Sequence, residues 1–429
     1  MARARKLRWM PLDNAAKIYP AAKRQNWINI FRVSATLTEQ VDTTILRAAL
    51  DVTVERFPSI AARLRRGVFW YYLQQVAHAP ELREESSYPL TRMSRQELRK
   101  CAFRVIVYRD RIALEVFHSL TDGNGAMIFL KSLVAEYLQQ KHGISIPATD
   151  GVLDRAEDPS PEEMEDSFPK YAGPVHASRK GNDAFRPKGT PEQDGFLNLT
   201  CMEIPAQDVL RVAKEQGVTV TVLLCAAMMR ALLNLQAEHV RNPMRRKFIK
   251  LQVPVNLRPI FPSKSLRNFA LYTTPEIDPR LGEYSFREIC DAVRHKFGME
   301  VNAKFMSSLI ATNVSSEKIM AVKLMPLFVK NIIMKAVFDA VGERKSCLSL
   351  SNLGKVTLPE AMRPYVKRMD FILGTQASAP HNCGVLTYGD TMYLNIIRSI
   401  REPELEYHFH CVLRDLGLPV RVQSNAQEV

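Results

Sequence analysis

The amino-acid sequence predicts an α/β (α+β) protein of two lobes, each a mixed sheet with flanking helices. Strand-like and helix-like patterns alternate on both sides of a central stretch whose composition differs from the rest. This stretch contains six prolines and three glycines, and its ten acidic and six basic side chains give a net charge of −4. We therefore predict an N-terminal lobe over 1–153, an acidic linker over 154–194 and a C-terminal lobe over 195–429.

Size and cysteine content agree with this class and indicate a reducing compartment. A chain of 429 residues with 46% hydrophobic and 24% charged side chains is typical of a globular protein. The seven cysteines form no CxxC pair, which argues against a disulfide framework or a zinc ribbon. Residues 1–20 lack the apolar core of a targeting segment, and Arg230 and Asn234 interrupt the apolar stretch 218–235. We expect a soluble, cytoplasmic protein in which 218–235 is a buried helix.

Periodicity places the elements of the N-terminal lobe around one hairpin. Two β runs are separated by the polar turn Arg109-Asp110-Arg111, which indicates an antiparallel pair. Apolar residues at helical spacing lie on both sides of the hairpin, and the second helix stops at Gly143. The predicted elements are a helix over 43–56, a strand over 67–76, the hairpin strands over 102–108 and 112–118, and a helix over 126–140.

The C-terminal lobe is predicted in the same style. Its strands are expected over 198–204, 248–255, 347–350 and 392–398, and its helices over 219–235 and 317–341. Pro326 lies inside the second helical pattern, where it removes a backbone donor, so we expect a kink there.

The end of the second hairpin strand is the most informative segment for function. Ile112, Leu114, Val116 and His118 share one face by the period of two, so His118 ends an apolar row. A turn and then a helix follow, and loops of this kind commonly carry reacting groups. A structural histidine, with Asp122 or Asn124 capping the helix, is the alternative.

Residues 118–123 read His-Ser-Leu-Thr-Asp-Gly and resemble the HxxxDG signature of the CoA-dependent acyltransferase superfamily, which includes chloramphenicol acetyltransferase. Further segments resemble elements of that superfamily in the same order, and together they cover about residues 10 to 415. They are Val253–Arg258 ("VPVNLR"), Arg267–Ala270 (the "GNF" element), Leu350–Gly354 (the "NxxG" strand of the crossover segment), and, near the start, Pro11–Ala15 and Arg56–Pro58. The set is most similar to free-standing bacterial alcohol acetyltransferases.

The resemblance implies two chloramphenicol-acetyltransferase-like lobes with an active-site tunnel at their interface, and it implies roles for individual residues. His118 and Asp122 would be the catalytic pair of the motif. His118 would act as general base on an acceptor hydroxyl or amine that attacks the acyl-CoA thioester, which suits a side chain with a pKa near 6.5. Asp122 would hold the turn by pairing with an arginine, and Arg258 is the candidate partner.

Three further residues receive roles from the resemblance, and one position departs from it. Gly123 would permit the tight turn, and Ser351 or Asn352 would donate a hydrogen bond to the tetrahedral oxyanion. Condensation domains, and often wax ester synthases, carry two histidines in tandem, whereas Phe117 precedes His118 here. This difference favours acyl transfer from free CoA over peptide-bond formation.

The implied partners are small molecules. Acyl-CoA would be a co-substrate, and we expect no permanently bound cofactor. No residues are assigned to the binding of CoA. A small-molecule alcohol would be the acceptor, with N-acyl transfer, transfer to a lipid or wax alcohol, and a catalytically silent binding protein of the same fold as alternatives. We expect no metal, because the His408–His410 pair has no second histidine or cysteine pair nearby. We expect a monomer.

The net charge of +14 leaves nucleic acid, an anionic membrane or a polyanionic small molecule as partners. No nucleic-acid-binding signature occurs, so we expect no nucleic acid. Three basic clusters leave two contacts open: the first and third in chain order could touch an anionic membrane, and the second could meet the CoA phosphates. The clusters are Arg3, Arg5, Lys6 and Arg8; Arg241, Arg245, Arg246, Lys247 and Lys250; and the helical pattern over 318–335, with Lys323 and Lys330.

Overall fold

A computed structural model describes residues 7–21, 28–176, 182–318, 324–337, 346–376 and 379–425. Arg3, Arg5, Lys6 and Lys323 of the basic clusters lie outside these residues. In chain order, the strands are β1 (Trp9–Pro11), β2 (Ile30–Leu37), β3 (Ala62–Arg66), β4 (Tyr71–Gln75), β5 (Arg83–Glu84), β6 (Phe103–Tyr108), β7 (Arg111–Phe117), β8 (Asn198–Pro205), β9 (Ile249–Asn256), β10 (Ala270–Thr273), β11 (Glu276–Ile277), β12 (Leu348–Val356), β13 (Val366–Ile372), β14 (His381–Tyr388), β15 (Thr391–Arg398) and β16 (Arg421–Ser424). The helices are α1 (Ile18–Ala21), α2 (Thr43–Arg56), α3 (Arg95–Lys100), α4 (Gly123–His142), α5 (Ala206–Glu215), α6 (Val220–His239), α7 (Phe286–Glu300), α8 (Ala303–Lys318), α9 (Leu327–Val337) and α10 (Glu404–Asp415).

The first sheet has the strand order β13-β2-β7-β6-β5. β6 and β7 form the hairpin that the sequence predicts, and Arg109 in its turn has a φ of 52°. α2 and α4 pack against each other, and α4 also packs against β2 and β7. Asp42 caps the N-terminus of α2, and Gly143 ends α4 in the left-handed conformation with a φ of 66°.

The second sheet has the order β10-β9-β12-β14-β15-β8-β16, with β11 paired to β9. β12 runs parallel to both β9 and β14, and the remaining pairs are antiparallel. Side chains of this sheet form a core together with buried residues of α5, α6, α7 and α10. α6 is largely buried there, as the sequence predicts, and Thr219 caps it. Among the described residues, α6 is also the one helix whose length and apolar composition would be sufficient to cross a membrane, a property that buried core helices share.

β13 connects the two halves of the chain. It lies in sequence within the region expected to form the C-terminal lobe, yet it pairs antiparallel with β2 in the first sheet. β13 also packs against β14 and β15 of the second sheet. The chain therefore crosses from the second sheet to the first and back, and the two sheets meet along this strand.

The described part of the acidic stretch 154–194 packs against elements of both halves of the chain. Glu163 forms an ion pair with Arg56 at 2.6 Å. Phe168 is fully buried in a small separate core, where its ring contacts Phe269 at 5.3 Å between centroids. Ala184 forms a β-bridge with Phe248. The described part of this stretch therefore contributes to packing as well as to connection.

Two predicted elements differ from the structure. The strand expected over 67–76 begins only at Tyr71, because residues 67–70 turn the chain between β3 and β4, with the Gly67 N–H donating to the Trp70 carbonyl at 2.9 Å. The helix expected over 317–341 differs in the residues that the structure describes. Its first residues are the end of α8, which begins at Ala303, and α9 starts directly after Pro326, because proline suits the start of a helix better than its interior.

Candidate active site

The predicted catalytic segment forms the turn between β7 and α4. The His118 N–H donates to the Asn29 carbonyl at 2.9 Å. His118 directly follows β7 and Asn29 directly precedes β2, so this bond extends the pairing of the two strands by one residue. The residues that follow turn the chain, and the Ser119 and Thr121 side chains are fully buried beneath it. α4 then begins at Gly123. The turn thus fixes the backbone on both sides of the histidine.

The side chain of His118 is held by Asn268, which comes from the second half of the chain. Nδ1 of His118 lies 3.0 Å from Oδ1 of Asn268. The Asn268 amide group donates through Nδ2 to the His118 carbonyl oxygen at 3.0 Å. Because Nδ2 faces an acceptor, Oδ1 is the atom that faces the ring, and it requires a proton on Nδ1. The contact therefore favours the tautomer whose Nε2 carries the free lone pair.

The surroundings of His118 keep the ring neutral. Tyr19 stacks on it with ring centroids 4.5 Å apart, and Phe31 meets it edge-on at 5.0 Å. Burial lowers the pKa of His118 below its ordinary value of 6.5, against smaller raising effects from its own backbone carbonyl, from Asp122 and from Asn268. A neutral imidazole at pH 7 can accept a proton, as a general base must.

Asp122 faces away from the histidine and joins the two halves of the chain. Its Oδ2 accepts from Arg258 Nη1 at 2.8 Å and from the Phe269 N–H at 2.9 Å, and its Oδ1 accepts from the Gly125 N–H at 3.1 Å. The last contact caps α4. The pairing of Asp122 with Arg258 that the resemblance implies is thus present through Oδ2, and Oδ1 is used to cap the helix.

Arg258 has further contacts that hold the segment before Asn268. Its Nη2 donates to the carbonyl oxygens of Ser265 at 2.8 Å and Arg267 at 2.7 Å. One guanidinium group therefore ties the turn that follows His118 to the backbone that positions Asn268. These contacts give Asp122 and Arg258 a structural role in the site.

The glycine that the turn requires is Gly125 rather than Gly123. Gly123 has no positive φ, and a Cβ there would meet the end of a flexible side chain, Leu353 Cδ2, at 2.9 Å. A Cβ at Gly125 would lie 2.1 Å from Thr121 Oγ1 and 2.3 Å from the Leu266 carbonyl oxygen. The turn therefore approaches the second half of the chain most closely at Gly125, which the sequence did not single out.

The two candidate oxyanion donors lie on opposite faces of β12, because side chains alternate along a strand. Ser351 is buried, and the register of β12 against β14 shifts directly after Asn352. Asn352 donates through Nδ2 to Thr221 Oγ1 at 3.2 Å and accepts through Oδ1 from the Gly354 N–H at 2.8 Å. The side chain of Asn352 is thus engaged beside α6, which leaves Ser351 as the candidate donor.

Two other sequence candidates lie away from this turn. The basic cluster at 241–250 precedes and begins β9, whereas Arg258 follows the opposite end of that eight-residue strand. At about 3.3 Å per residue the two ends are roughly 25 Å apart. His408, the first histidine of the HxH pair, lies 3.2 Å from Glu238 Oε2 on α6.

Sequence reasoning did not assign a role to Asn268 or Tyr19. Asn268 lies in the "GNF"-like element, so its segment was identified although its contact with His118 was not. Tyr19 belongs to the four-residue helix α1, which has no periodic signal of its own. Both contacts depend on how distant segments fold together.

No protein-family model and no curated protein sequence matches the chain. Solved structures do match over nearly its whole length. F. graminearum TRI101 complexed with coenzyme A and deoxynivalenol has a TM-score of 0.63 at 9% identity, covering 98% of this chain and 100% of that one. TRI3 trichothecene 15-O-acetyltransferase from Fusarium sporotrichioides has a TM-score of 0.61 at 12% identity, covering 97% and 96%. The first condensation domain of the CDA synthetase has a TM-score of 0.57 at 12% identity, covering 95% of each chain. The protein therefore has the two-lobed fold that CoA-dependent acyltransferases and condensation domains share.

Proposed function

We propose that the protein transfers an acyl group, acetyl in the first instance, from acyl-CoA to a hydroxyl group of a small-molecule acceptor. The observation that carries the proposal is the held, neutral His118, whose Nδ1 is engaged by Asn268 so that Nε2 is left as the base. The fold agrees, since it is shared with a 15-O-acetyltransferase and with a protein that was crystallised with coenzyme A.

In the proposed reaction, Nε2 of His118 removes the proton of the acceptor hydroxyl as its oxygen attacks the thioester carbonyl carbon. A C–O bond forms, and the carbonyl oxygen becomes an oxyanion, for which Ser351 is the candidate donor. The intermediate then expels the CoA thiolate, which takes the proton from His118. Proton and leaving group balance without a covalent enzyme intermediate. A positioned base typically contributes about 10²- to 10⁴-fold in rate.

Phe117 supports free acyl-CoA as the donor. The position occupied by the first histidine of the tandem pair in condensation domains is here Phe117, a side chain buried in the core that the first sheet forms with α2 and α4. It offers no polar group to the reacting atoms. A cytoplasmic location and a monomeric state are part of the same proposal, and the unpaired state of all seven cysteines is compatible with the former.

The test is a screen of alcohols and amines with acetyl-CoA and a longer acyl-CoA, in which released thiol is followed and products are identified by mass spectrometry. We expect thiol release that depends on an alcohol and that falls at least about 100-fold in His118→Ala. His142→Ala is the matched control, because His142 lies at the other end of α4, paired with Glu39. Unchanged turnover in His118→Ala contradicts the mechanism. Product formation with amines alone would establish N-acyl transfer instead, and no turnover with any acceptor would favour a silent binding protein.

A lipid acceptor at a membrane surface is the second candidate, and one observation favours it. Phe328 and Ile332 on α9 are 61% and 67% exposed, and Phe69 in the β3–β4 turn is 44% exposed. The Lys330 ammonium donates to the Phe69 carbonyl oxygen at 2.9 Å, so these apolar side chains lie on adjoining elements. Co-sedimentation with vesicles of anionic phospholipid at low salt, reduced by Phe328→Ser, would support this candidate. Failure of the protein to sediment would remove it.

A further inference from the structure

A buried carboxylate lies behind Asn268 on the side away from the histidine ring. Asp13, in the segment that leads into α1, is fully buried. Its Oδ2 accepts from Asn268 Nδ2 at 3.2 Å, and its Oδ1 accepts from the Ala16 N–H at 2.7 Å. Asn268 in turn contacts Nδ1 of His118 at 3.0 Å. Asp13, Asn268 and His118 thus form one chain of hydrogen bonds across three distant segments.

We propose that Asp13 is a positioning residue, which acts through Asn268 to keep the proton of His118 on Nδ1 and the lone pair on Nε2. The inference rests on the proposed function, because it concerns the base of that reaction. Asp13 does not touch the substrate in this proposal. Asp13 acts only by fixing the orientation of the Asn268 side-chain amide.

Two acceptors together define that direction. Nδ2 of Asn268 faces the carboxylate of Asp13 and the carbonyl oxygen of His118. A flipped amide would place its oxygen against both of these acceptors and its NH₂ group against Nδ1 of the ring. In that state Nδ1 would accept a hydrogen bond and the proton would lie on Nε2. The proposed base would then have no lone pair for the acceptor hydroxyl.

Burial and the charged groups around Asp13 determine the pH range in which its carboxyl group is ionised. Burial, the largest effect, raises the pKa of Asp13 to about 6, and Asp166 adds to the rise, whereas Arg267 and Asn268 oppose it. The Arg267 guanidinium lies 3.6 Å from Oδ2, and the phenol of Tyr19 is a further titratable neighbour. At pH 8 the carboxyl group is therefore ionised, and both of its oxygens are acceptors.

Asp13→Asn tests the proposal with little change of shape. The substituted side chain has one acceptor oxygen for the two donors that Asp13 now serves, so its own NH₂ group must face either Ala16 or Asn268. Where it faces Asn268, it stabilises the flipped amide. We expect a fall in kcat of roughly fivefold to tenfold at pH 8, the population effect of about one net hydrogen bond, with KM for acyl-CoA unchanged.

Asp166→Asn is the matched control. Asp166 lies beside Asp13 and also accepts from two backbone N–H groups, those of Asn14 at 3.0 Å and Phe168 at 3.1 Å. The same isosteric change there loosens the same region without contact to Asn268. We expect its kcat to stay within twofold of the wild type.

The decisive readout is ¹⁵N NMR of the histidine ring, which reports the tautomer without requiring activity. The signals of His118 are assigned by their loss in His118→Ala. We expect Nδ1–H in the wild type and in Asp166→Asn, and a mixture with Nε2–H in Asp13→Asn. Nε2–H as the main wild-type tautomer overturns the inference even if Asp13→Asn does not fold. An unchanged tautomer and kcat in folded Asp13→Asn overturn it as well. Failure of the proposed function is distinct, since His118→Ala would then retain turnover.

Discussion

Two clusters of buried charge lie on and just beyond β7, and their partners come from different parts of the chain. Glu115 is fully buried and accepts from Arg32 at 2.9 Å and Arg104 at 2.7 Å, both within the first sheet. Asp122, seven residues later, pairs with Arg258 from the second half of the chain. The Glu115 cluster ties neighbouring strands together. The Asp122 cluster links the two halves of the chain next to His118. The contacts of Asp122 do not use Nε2 of that histidine.

The difference shows that a buried charged side chain can either stabilise a sheet or position the residues of a site. Both oxygens of Glu115 accept from arginines of its own sheet, and Oε1 also accepts from the Leu90 N–H, in the loop after β5, at 2.7 Å. Removing Glu115 leaves Arg104 without its buried carboxylate partner and Arg32 with only its second partner, Glu85. Around Asp122 the same type of contact fixes the backbone of the turn and of the Asn268 segment, so the histidine is positioned by its neighbours.

The largest expected effect on stability is that of Glu115→Ala. It leaves Arg32 and Arg104 buried without their shared carboxylate, and breaking such a group costs about 3–5 kcal/mol. Urea unfolding would measure this as a lower midpoint. Asp51→Ala is the control, because its pair with Arg47 is exposed and pairs of that kind contribute less than about 1 kcal/mol. Equal losses in the two variants would contradict the structural role of the Glu115 cluster.

Asp122→Asn is expected to lower the free energy of unfolding by about 2–3 kcal/mol, because a charge-assisted contact with Arg258 and a backbone contact are weakened together. Activity should fall with the loss of geometry. Arg258→Lys keeps the charge and loses the fork that holds two carbonyl oxygens, so it should resemble Asp122→Asn in thermal melting. A variant that loses turnover but keeps wild-type melting and acyl-CoA affinity would instead show a direct chemical role for Asp122.

Two glycines of the turn give a smaller, graded test. Gly125→Ala should destabilise the protein by about 1–3 kcal/mol, since the added Cβ meets a backbone oxygen at 2.3 Å. Gly123→Ala should cost less than about 1 kcal/mol, because Leu353 can rotate away. Chemical unfolding of the pair decides the order, and a larger effect at Gly123 would contradict the packing described for this turn.

The smallest expected effect is the dependence of activity on pH. Burial lowers the pKa of His118, so the neutral base persists below pH 6.5 and is lost only as pH falls further. The acid limb of kcat/KM should therefore have its midpoint below 6.5. Preincubation at each pH followed by assay at pH 8 separates titration from unfolding. A midpoint above 7 would show that the imidazolium form is stabilised.

Much of the fold near the site was predictable because its signals are local. The helix over 43–56, the hairpin, and the end of α4 at Gly143 follow from periodicity and turn residues that lie within a few positions of each other. The strand expected over 67–76 was too long, because a turn residue such as Gly67 carries a weak signal between two β runs. Pro326 predicts an interruption in the helical pattern over 317–341, and α9 begins directly after it, but the proline does not indicate where the preceding helix starts.

The sequence by itself determined the chemical inventory of this protein: a histidine at the end of a strand, an aspartate four residues later that caps a helix, and an arginine able to pair with it. Only the tertiary structure decided that Asn268 holds the ring, that Asn352 is engaged elsewhere, and that Asp13 lies behind Asn268. The physical reason is the range of the interactions. Periodicity and capping act over one or two turns of chain, whereas the contacts that orient His118 join residues 150 positions apart.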